Sequence, residues 1–259
     1  MIMNVELDKR HTNNQGNKIV PLYKLFPHVV TLLSMCSGLT AIKLTFSERW
    51  EMSVFFIVIA TVLDGVDGSI ARFLHAESNF GAHLDSLSDF LNFGVAPALL
   101  IYFWSLIHVR FIGWLAIMGF VVCMVIRLAR FGSEDSIKHN RKFFFGVPAP
   151  AGAILVMIPT ICSFQIVEFF PLLEHFINNN SFVEIYVIFV SILVISRIPT
   201  ISLKEMPISQ RYTYAVLTFF GLNSILLFTF PWMFIPVVSA VYILVMPVSV
   251  FCFLYSKNK

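Results

Sequence analysis

The stretch DGVDGSIARFLHAESNFGAHLDSLSD, residues 64–89, places four aspartates between two long runs of Phe, Ile, Leu and Val. An aspartate at the centre of a membrane-spanning helix costs about 2.5–3.5 kcal/mol on insertion scales. Repulsion between neighbouring carboxylates adds to that cost, and Arg72 alone does not neutralise four of them. The stretch therefore predicts a site that binds something cationic.

The chain around this stretch has the composition of a membrane protein. Of its 259 residues, 58% are hydrophobic and 13% are charged, and the mean hydropathy is +0.81. An ordinary soluble domain is about half apolar and about a quarter charged. Because the apolar residues come in blocks of about 20, the length needed to cross a bilayer, the predicted fold is all-α, a polytopic transmembrane helical bundle.

The apolar blocks predict about eight spans, at residues 26–46, 50–70, 84–106, 111–131, 147–166, 182–202, 211–230 and 233–255. Residues 1–20 are polar and lack the apolar core and cleavage site of a signal peptide, so they are interpreted as a cytoplasmic N-terminal segment. Residues 21–259 are interpreted as a single transmembrane domain, since no linker or repeat divides them.

The distribution of basic residues predicts the orientation. If the N-terminus is cytoplasmic, all 18 Lys and Arg residues lie on the cytoplasmic side except Lys43, Arg49 and Arg110. Such an excess is typical of cytoplasmic flanks, and it places the four aspartates at the cytoplasmic face. Because topology accounts for the net charge of +3, no nucleic-acid partner is expected.

Helical spacing gathers the polar residues of the stretch on two helix faces. The residues that share a face of the second span, at i, i+3, i+4, i+7 and i+8, are Asp64, Asp67, Gly68, Ala71 and Arg72. On the following helix, the residues at i, i+4 and i+8 are Gly81, Asp85 and Asp89. Two short connected helices are therefore expected to direct four carboxylates at one space.

Clustered carboxylate oxygens without Cys or His ligands favour hard cations such as Mg²⁺ or Mn²⁺, and two such ions fit four aspartates. Gly68 and Gly81, together with the small Ala71, are expected to clear space where the two helices face each other. Arg72 lies at the rim with a planar guanidinium suited to phosphate oxygens. These residues together predict a bound phosphate or pyrophosphate.

The same positions resemble the signature of the CDP-alcohol phosphatidyltransferases, D-x-x-D-G-x-x-A-R, eight residues, then G-x-x-x-D-x-x-x-D, and every signature position matches. The resemblance implies a transmembrane helical fold, usually homodimeric, with two divalent cations on the pyrophosphate of a CDP-linked lipid. It implies metal ligands at Asp64, Asp67, Asp85 and Asp89, of which Asp89 is also the general base. It further implies that the CDP-lipid is bound by Gly68, Ala71, Arg72 and Gly81.

Three further blocks look like those of the bacterial CDP-diacylglycerol–serine O-phosphatidyltransferases: RLARF at Arg127–Phe131, GVPAPAGA at Gly146–Ala153 and ISRIPTISLK at Ile195–Lys204. This resemblance implies a catalytic domain in the bacterial inner membrane, surrounded by membrane lipids. The substrates that it implies are CDP-diacylglycerol and L-serine. Three positions depart from that family: Gly132 where Asn is usual, Val147 where Leu is usual and Ala149 where Ser is usual.

Serine carries a carboxylate, so its pocket should contain fixed cations. The candidates at the cytoplasmic ends of predicted spans are Arg127, Arg130 and Arg197. Basic residues at such ends also serve as anchors to lipid headgroups. Arg127 differs because it lies within its span, where an ionisable residue is usually functional.

Other functions compete with this one. The same chemistry serves glycerol 3-phosphate, inositol phosphate or choline as the acceptor. An intramembrane prenyltransferase also uses Asp-rich motifs with Mg²⁺, but its usual N-D-x-x-D start is absent. A transporter would distribute acidic residues along a path across several spans, whereas these four lie within one short stretch.

Overall fold

The computed structural model describes residues 22–76, 78–132, 143–169, 171–177, 179–196, 199–201, 218, 221–223, 225–227 and 229–257. In the first half of the chain, a short 3-10 helix leads into α1 (Phe26–Phe46), which is followed by α2 (Trp50–Phe73) and α3 (Asn79–Asp89). A π-helical segment, Phe90–Val95, continues α3 into α4 (Ala96–Trp104). A second 3-10 helix, Leu106–Val109, precedes α5 (Arg110–Gly132).

The second half of the described chain contains α6 (Ala149–Phe169), α7 (Pro171–Ile177), α8 (Asn180–Ile195) and α9 (Pro231–Lys257). Two three-residue strands, β1 (Phe143–Phe145) and β2 (Pro199–Ile201), pair antiparallel with Phe143 opposite Ile201. This pairing joins the start of α6 to the end of α8.

The expected helical membrane architecture is confirmed. Among the described residues, four helical stretches are long and apolar enough to cross a bilayer: Tyr23–Phe46, Trp50–Phe73, Asn79–Trp104 and Phe111–Arg130. Three shorter apolar helical stretches follow, Ala149–Gln165, Asn180–Ile195 and Pro231–Pro247. The span expected at 211–230 lies largely outside the described residues, so the number of eight stays a prediction.

The predicted span at 182–202 is wrong at its C-terminal end. The helix α8 ends at Ile195, and Pro199 begins the strand β2. Proline lacks a backbone N–H and disfavours helical conformation in the residue before it. The dipeptide Ile198-Pro199 therefore indicates that the helix ends before residue 198. The predicted span extended past this point because the segment is rich in apolar residues.

Small polar residues fasten α1 to α2. The hydroxyl of Ser34 donates a hydrogen bond to the Ala60 carbonyl at 2.8 Å, and that of Ser37 donates to the Phe56 carbonyl at 2.8 Å. Small residues allow helices in a membrane to approach closely, and their hydroxyls bond across the interface. The C-terminal part of α2, which carries the first two aspartates, is thereby held beside α1.

The π-helical segment after Asp89 packs closely against α1. Asn92 donates hydrogen bonds to the hydroxyls of Ser34 and Ser88, at 2.9 and 3.1 Å. Gly38 makes this contact possible, because a Cβ at that position would lie 2.0 Å from the Asn92 Oδ1 atom. Single π-helical turns inside α-helices occur frequently at functional sites. Here the segment fixes the position of the helix end that carries Asp89.

The apolar core lies beside this segment and extends along α4, α5 and α6. Its large, fully buried side chains include Phe93, Leu100, Phe120, Met124 and Leu155. These side chains come from four different elements, so the helices pack around one core. The polar residues of the Asp64–Asp89 stretch lie at one end of this bundle.

Candidate active site

The four aspartates of the opening stretch come together in the structure. Asp64 and Asp67 lie in the C-terminal half of α2, and Asp85 and Asp89 lie in α3. One carboxylate oxygen from each of Asp64, Asp67 and Asp85 lies within 4.8 Å of the others. The Asp89 side chain is in hydrogen-bonding contact with that of Asp64. We call these four residues the acidic group.

The acidic group contains buried oxygens without partners. Asp67 is only 3% exposed, and its side chain lies against Thr31 of α1. Oδ2 of Asp67 and Oδ1 of Asp89 are buried and have no hydrogen-bond partner among the described residues. Burial of an unpaired ionised carboxylate is strongly unfavourable. The donor set, which is all carboxylate oxygen, fits a hard divalent cation.

A cavity of about 450 Å³ opens beside the acidic group, between the start of α1, the end of α2 and the start of α3. The signature residues that line it are Asp67, Gly68, Ala71, Arg72, Gly81 and Asp85. Asp64 and Asp89 are not among its described lining residues. The acidic group therefore presents two carboxylates to a space of the size that ligands occupy in other proteins.

The two signature glycines meet different surroundings. A Cβ added to Gly68 would have Arg72 Nη1, at 4.0 Å, as its nearest neighbour, so this glycine opens onto the cavity. A Cβ added to Gly81 would lie 2.5 Å from Cε1 of His28. Gly81 thus makes room for a side chain of α1, whereas the sequence interpretation expected it to face α2.

His28 is a cavity residue that the sequence interpretation missed. Its Nε2 atom lies 3.4 Å from the Ser78 hydroxyl oxygen, and its ring meets that of Phe80 edge-to-face at 5.6 Å between centroids. Ser78 caps the N-terminus of α3 by accepting a hydrogen bond from the Gly81 backbone N–H at 3.0 Å. The serine three residues before Gly81 is a recognisable cap signal. No local pattern marks His28, because only the packing of α1 on α3 brings it to the cavity.

The arginines expected to bind the acceptor differ in position. Arg127 is half-buried, its Nε–H donates to the Val147 carbonyl, and its guanidinium interacts electrostatically with Asp89. Arg130 is exposed and donates to the Ile195 carbonyl at 3.1 Å, at the end of α8. Arg197 lies outside the described residues. The structure therefore brings Arg127 to the acidic group and Arg130 to the end of a neighbouring helix.

This arrangement has the components that transfer of a phosphorus group requires. Divalent cations held by the carboxylates would neutralise the charge of a diphosphate, and an arginine at the rim can bind phosphate oxygens. A carboxylate next to those ligands is suited to accept a proton. The site therefore fits chemistry on a phosphoanhydride.

Comparison with known proteins agrees with this chemistry. Residues 24–196 match the model of the family described as CDP-alcohol phosphatidyltransferase. The chain is 33% identical to the CDP-diacylglycerol–serine O-phosphatidyltransferase of Mycobacterium tuberculosis (strain ATCC 25618 / H37Rv), over 88% of this chain and 78% of that protein. It is 32% identical to the protein of the same name from Helicobacter pylori (strain ATCC 700392 / 26695), over 79% of this chain and 83% of the relative.

A third relative matches a shorter part of this chain. The CDP-diacylglycerol–serine O-phosphatidyltransferase of Methanocaldococcus jannaschii is 40% identical over 49% of this chain and 56% of its own length. The family match covers α1 to α8 and includes the whole acidic group. This chain is a member of the CDP-alcohol phosphatidyltransferase family.

Proposed function

We propose that this protein transfers the phosphatidyl group of CDP-diacylglycerol to the hydroxyl of L-serine, giving phosphatidylserine and CMP. The observation that carries the proposal is the acidic group beside a cavity of about 450 Å³ with Arg72 on its wall. The names of the bacterial relatives support serine as the acceptor.

In this proposal Asp64, Asp67, Asp85 and Asp89 hold two divalent cations, Mg²⁺ or Mn²⁺. The buried, unpartnered oxygens of Asp67 and Asp89 support this assignment. When bound, the ions neutralise charge on the diphosphate and on the leaving CMP. Of the four aspartates, Asp67 and Asp85 line the cavity, so ions held by the acidic group would be accessible to the diphosphate of a lipid bound there.

The cavity binds the CDP part of the lipid. Gly68 and Ala71 leave its wall open, Gly81 allows His28 to pack against α3, and Arg72 binds a phosphate oxygen. The guanidinium of Arg72 is exposed at the end of α2, so it reaches a charged headgroup without leaving water. The acyl chains of the substrate remain in the membrane.

Asp89 is the general base in this proposal. Its carboxylate accepts the proton of the serine hydroxyl, the hydroxyl oxygen forms a bond to the β-phosphorus, and the bond from that phosphorus to CMP breaks. Arg127, which interacts with Asp89, binds the serine carboxylate. Arg130 and Arg197 are proposed as further cations of the acceptor site.

We also propose that the protein is a homodimer of the bacterial inner membrane with its active site facing the cytoplasm. The distribution of Lys and Arg supports the orientation. The dimer rests on the family resemblance. Cross-linking in native membranes, followed by gel analysis, should give a species of twice the mass of one chain, 29.5 kDa, and no such species if the protein is monomeric.

The test of the function is CMP release by the purified protein in detergent with CDP-diacylglycerol and Mg²⁺ or Mn²⁺. Each of L-serine, glycerol 3-phosphate, inositol phosphate and choline is offered in turn, beside a reaction without acceptor. We expect serine-dependent release that a chelator abolishes. Release with another alcohol alone would change the acceptor and keep the mechanism. Folded protein that releases no CMP with any of them would overturn the proposal in favour of a prenyltransferase or a transporter.

A further inference from the structure

Tyr242 of α9 has a buried hydroxyl without a partner. The phenol oxygen has no hydrogen-bond partner among the described residues, although the residue as a whole is half-buried. Buried tyrosine hydroxyls usually have a partner, because an unpaired one costs free energy. Two of the other unpartnered atoms in the described part of the chain, on Asp67 and Asp89, belong to the acidic group.

Tyr242 interacts with Arg127, the arginine proposed to bind the acceptor. Arg127 interacts electrostatically with Asp89 and with Tyr242. The bond from Arg127 to the Val147 carbonyl fixes the position of the guanidinium. The helix α6 begins two residues after Val147, and α9 packs on α6. The last helix of the chain therefore brings a neutral hydrogen-bond donor to the arginine that faces the general base.

A site for serine must hold the hydroxyl and the carboxylate of the substrate in different places. Its hydroxyl must reach Asp89, and its carboxylate must stay away from the aspartates, which repel it. Arg127 supplies a positive charge for the carboxylate, but a guanidinium binds a phosphate or a different acid equally well. A second donor at a fixed position adds selectivity, since a site built to hydrogen-bond a group rejects analogues that lack it.

We infer that Tyr242 is a positioning residue of the acceptor site, whose hydroxyl donates a hydrogen bond to the carboxylate of the serine that Arg127 binds. This inference rests on the proposed function. It assigns a role to α9, which lies outside the part of the chain that the family model matches.

The test compares Tyr242→Phe with Tyr186→Phe. Tyr186 also has a half-buried side chain, but its hydroxyl donates to the Leu155 carbonyl at 2.8 Å, which joins α8 to α6. For Tyr242→Phe we expect kcat/KM for serine to fall by about tenfold or more, mainly through KM, since bonds to charged groups have effects of that order. The KM for CDP-diacylglycerol should stay within about twofold. Tyr186→Phe should leave both KM values unchanged.

Ethanolamine, which lacks the carboxylate, separates positioning from a general defect. Tyr242→Phe should lower the ratio of kcat/KM for serine to that for ethanolamine, whereas Tyr186→Phe should keep the ratio. Thermal unfolding gives a second readout without substrate. Because the Tyr242 hydroxyl has no partner to lose, Tyr242→Phe should keep or raise the Tm, and Tyr186→Phe should lower it.

These measurements distinguish a failure of the role given to Tyr242 from a failure of the proposed function. If the wild-type protein releases CMP with serine and Tyr242→Phe keeps the wild-type KM for serine, the role of Tyr242 is wrong and the proposed function stands. A Tm that falls in Tyr242→Phe as it does in Tyr186→Phe would also overturn the inference, because the hydroxyl would then have a structural partner. If the wild type shows no serine-dependent release, the proposed function itself fails.

Discussion

Two glycines about one turn apart in α2, Gly65 and Gly68, make it possible to distinguish a change in the cavity wall from a change in helix stability. A Cβ at Gly65 meets nothing within 4 Å, and a Cβ at Gly68 meets only the end of Arg72. Gly68 lines the cavity, whereas Gly65 is exposed away from it. At both positions alanine should stabilise the helix by about 0.5–1 kcal/mol. The pair therefore isolates the effect of filling the cavity.

We expect Gly68→Ala to raise the KM for CDP-diacylglycerol by about tenfold, because the added methyl group would enter the space that the bound lipid occupies. Gly65→Ala should leave that KM unchanged. Both variants should unfold at the wild-type temperature or above it. Steady-state CMP release at varied CDP-diacylglycerol measures the effect, and equal KM values in the two variants would show that the lipid binds elsewhere.

Asp89→Asn should lower kcat by about 100-fold or more, because an amide does not accept the serine proton at neutral pH. The variant should remain folded, since asparagine has nearly the same shape as aspartate. Glu51→Gln, in the first turn of α2 at the opposite end of that helix, is the control and should keep the wild-type rate. Near-normal turnover by Asp89→Asn with well-folded protein would remove Asp89 from the role of base.

At the scale of elements, the contact between α1 and the π-helical segment determines where α3 lies. Gly38 is the point of closest approach, and the Asn92 amide that fills the space bonds to Ser34 and Ser88. A larger residue at Gly38 must displace Asn92 and break these buried hydrogen bonds. The position of Asp89, one turn before Asn92, depends on the same contact.

Gly38→Ala should therefore destabilise the protein by about 1–3 kcal/mol, as overpacking of a close contact does, and should also lower activity. Gly119→Ala is the matched control, because a Cβ at that exposed position of α5 meets nothing within 4 Å. Thermal unfolding in detergent measures both. A Tm for Gly38→Ala equal to that of Gly119→Ala would mean that α1 and the π-helical segment do not pack this closely.

The same elements indicate how far sequence reasoning extends here. The spacing of the aspartates predicted that α2 and α3 bring four carboxylates together, because residues three and four apart share a helix face. The π-helical segment has no such pattern, since Phe90–Val95 is as apolar as its surroundings. Tertiary packing brings His28 to the cavity and Tyr242 to Arg127. The spacing of neighbouring residues does not encode such contacts. Arg127 was found because a charge inside a span is costly.

At the scale of the whole molecule, α2 runs from one end of the bundle to the other, and the two ends should face different compartments. Ser47 is exposed before α2 begins, and Phe73 is 84% exposed where it ends, close to the cavity residue Arg72. The excess of Lys and Arg predicts that the end with Phe73 is cytoplasmic. The headgroup of CDP-diacylglycerol would then be bound from that side.

In sealed right-side-out vesicles, a membrane-impermeant maleimide should label Ser47→Cys above the level of the unmodified chain and should not label Phe73→Cys. Opening the vesicles with detergent should make Phe73→Cys reactive. The reverse pattern would place the active site on the outer face. Equal labelling of both variants in sealed vesicles would contradict the conclusion that α2 crosses the membrane.

The order of synthesis gives the position of the acidic group a further consequence. All four carboxylates come from residues 64–89, whereas Arg127 and Tyr242 are made later. A nascent chain enters the membrane from its N-terminus, so the aspartates and Arg72 are in place before Arg127 is made. An early insertion intermediate must therefore tolerate the repulsion among four carboxylates with Arg72 and cations from the cytoplasm as the counter-charges.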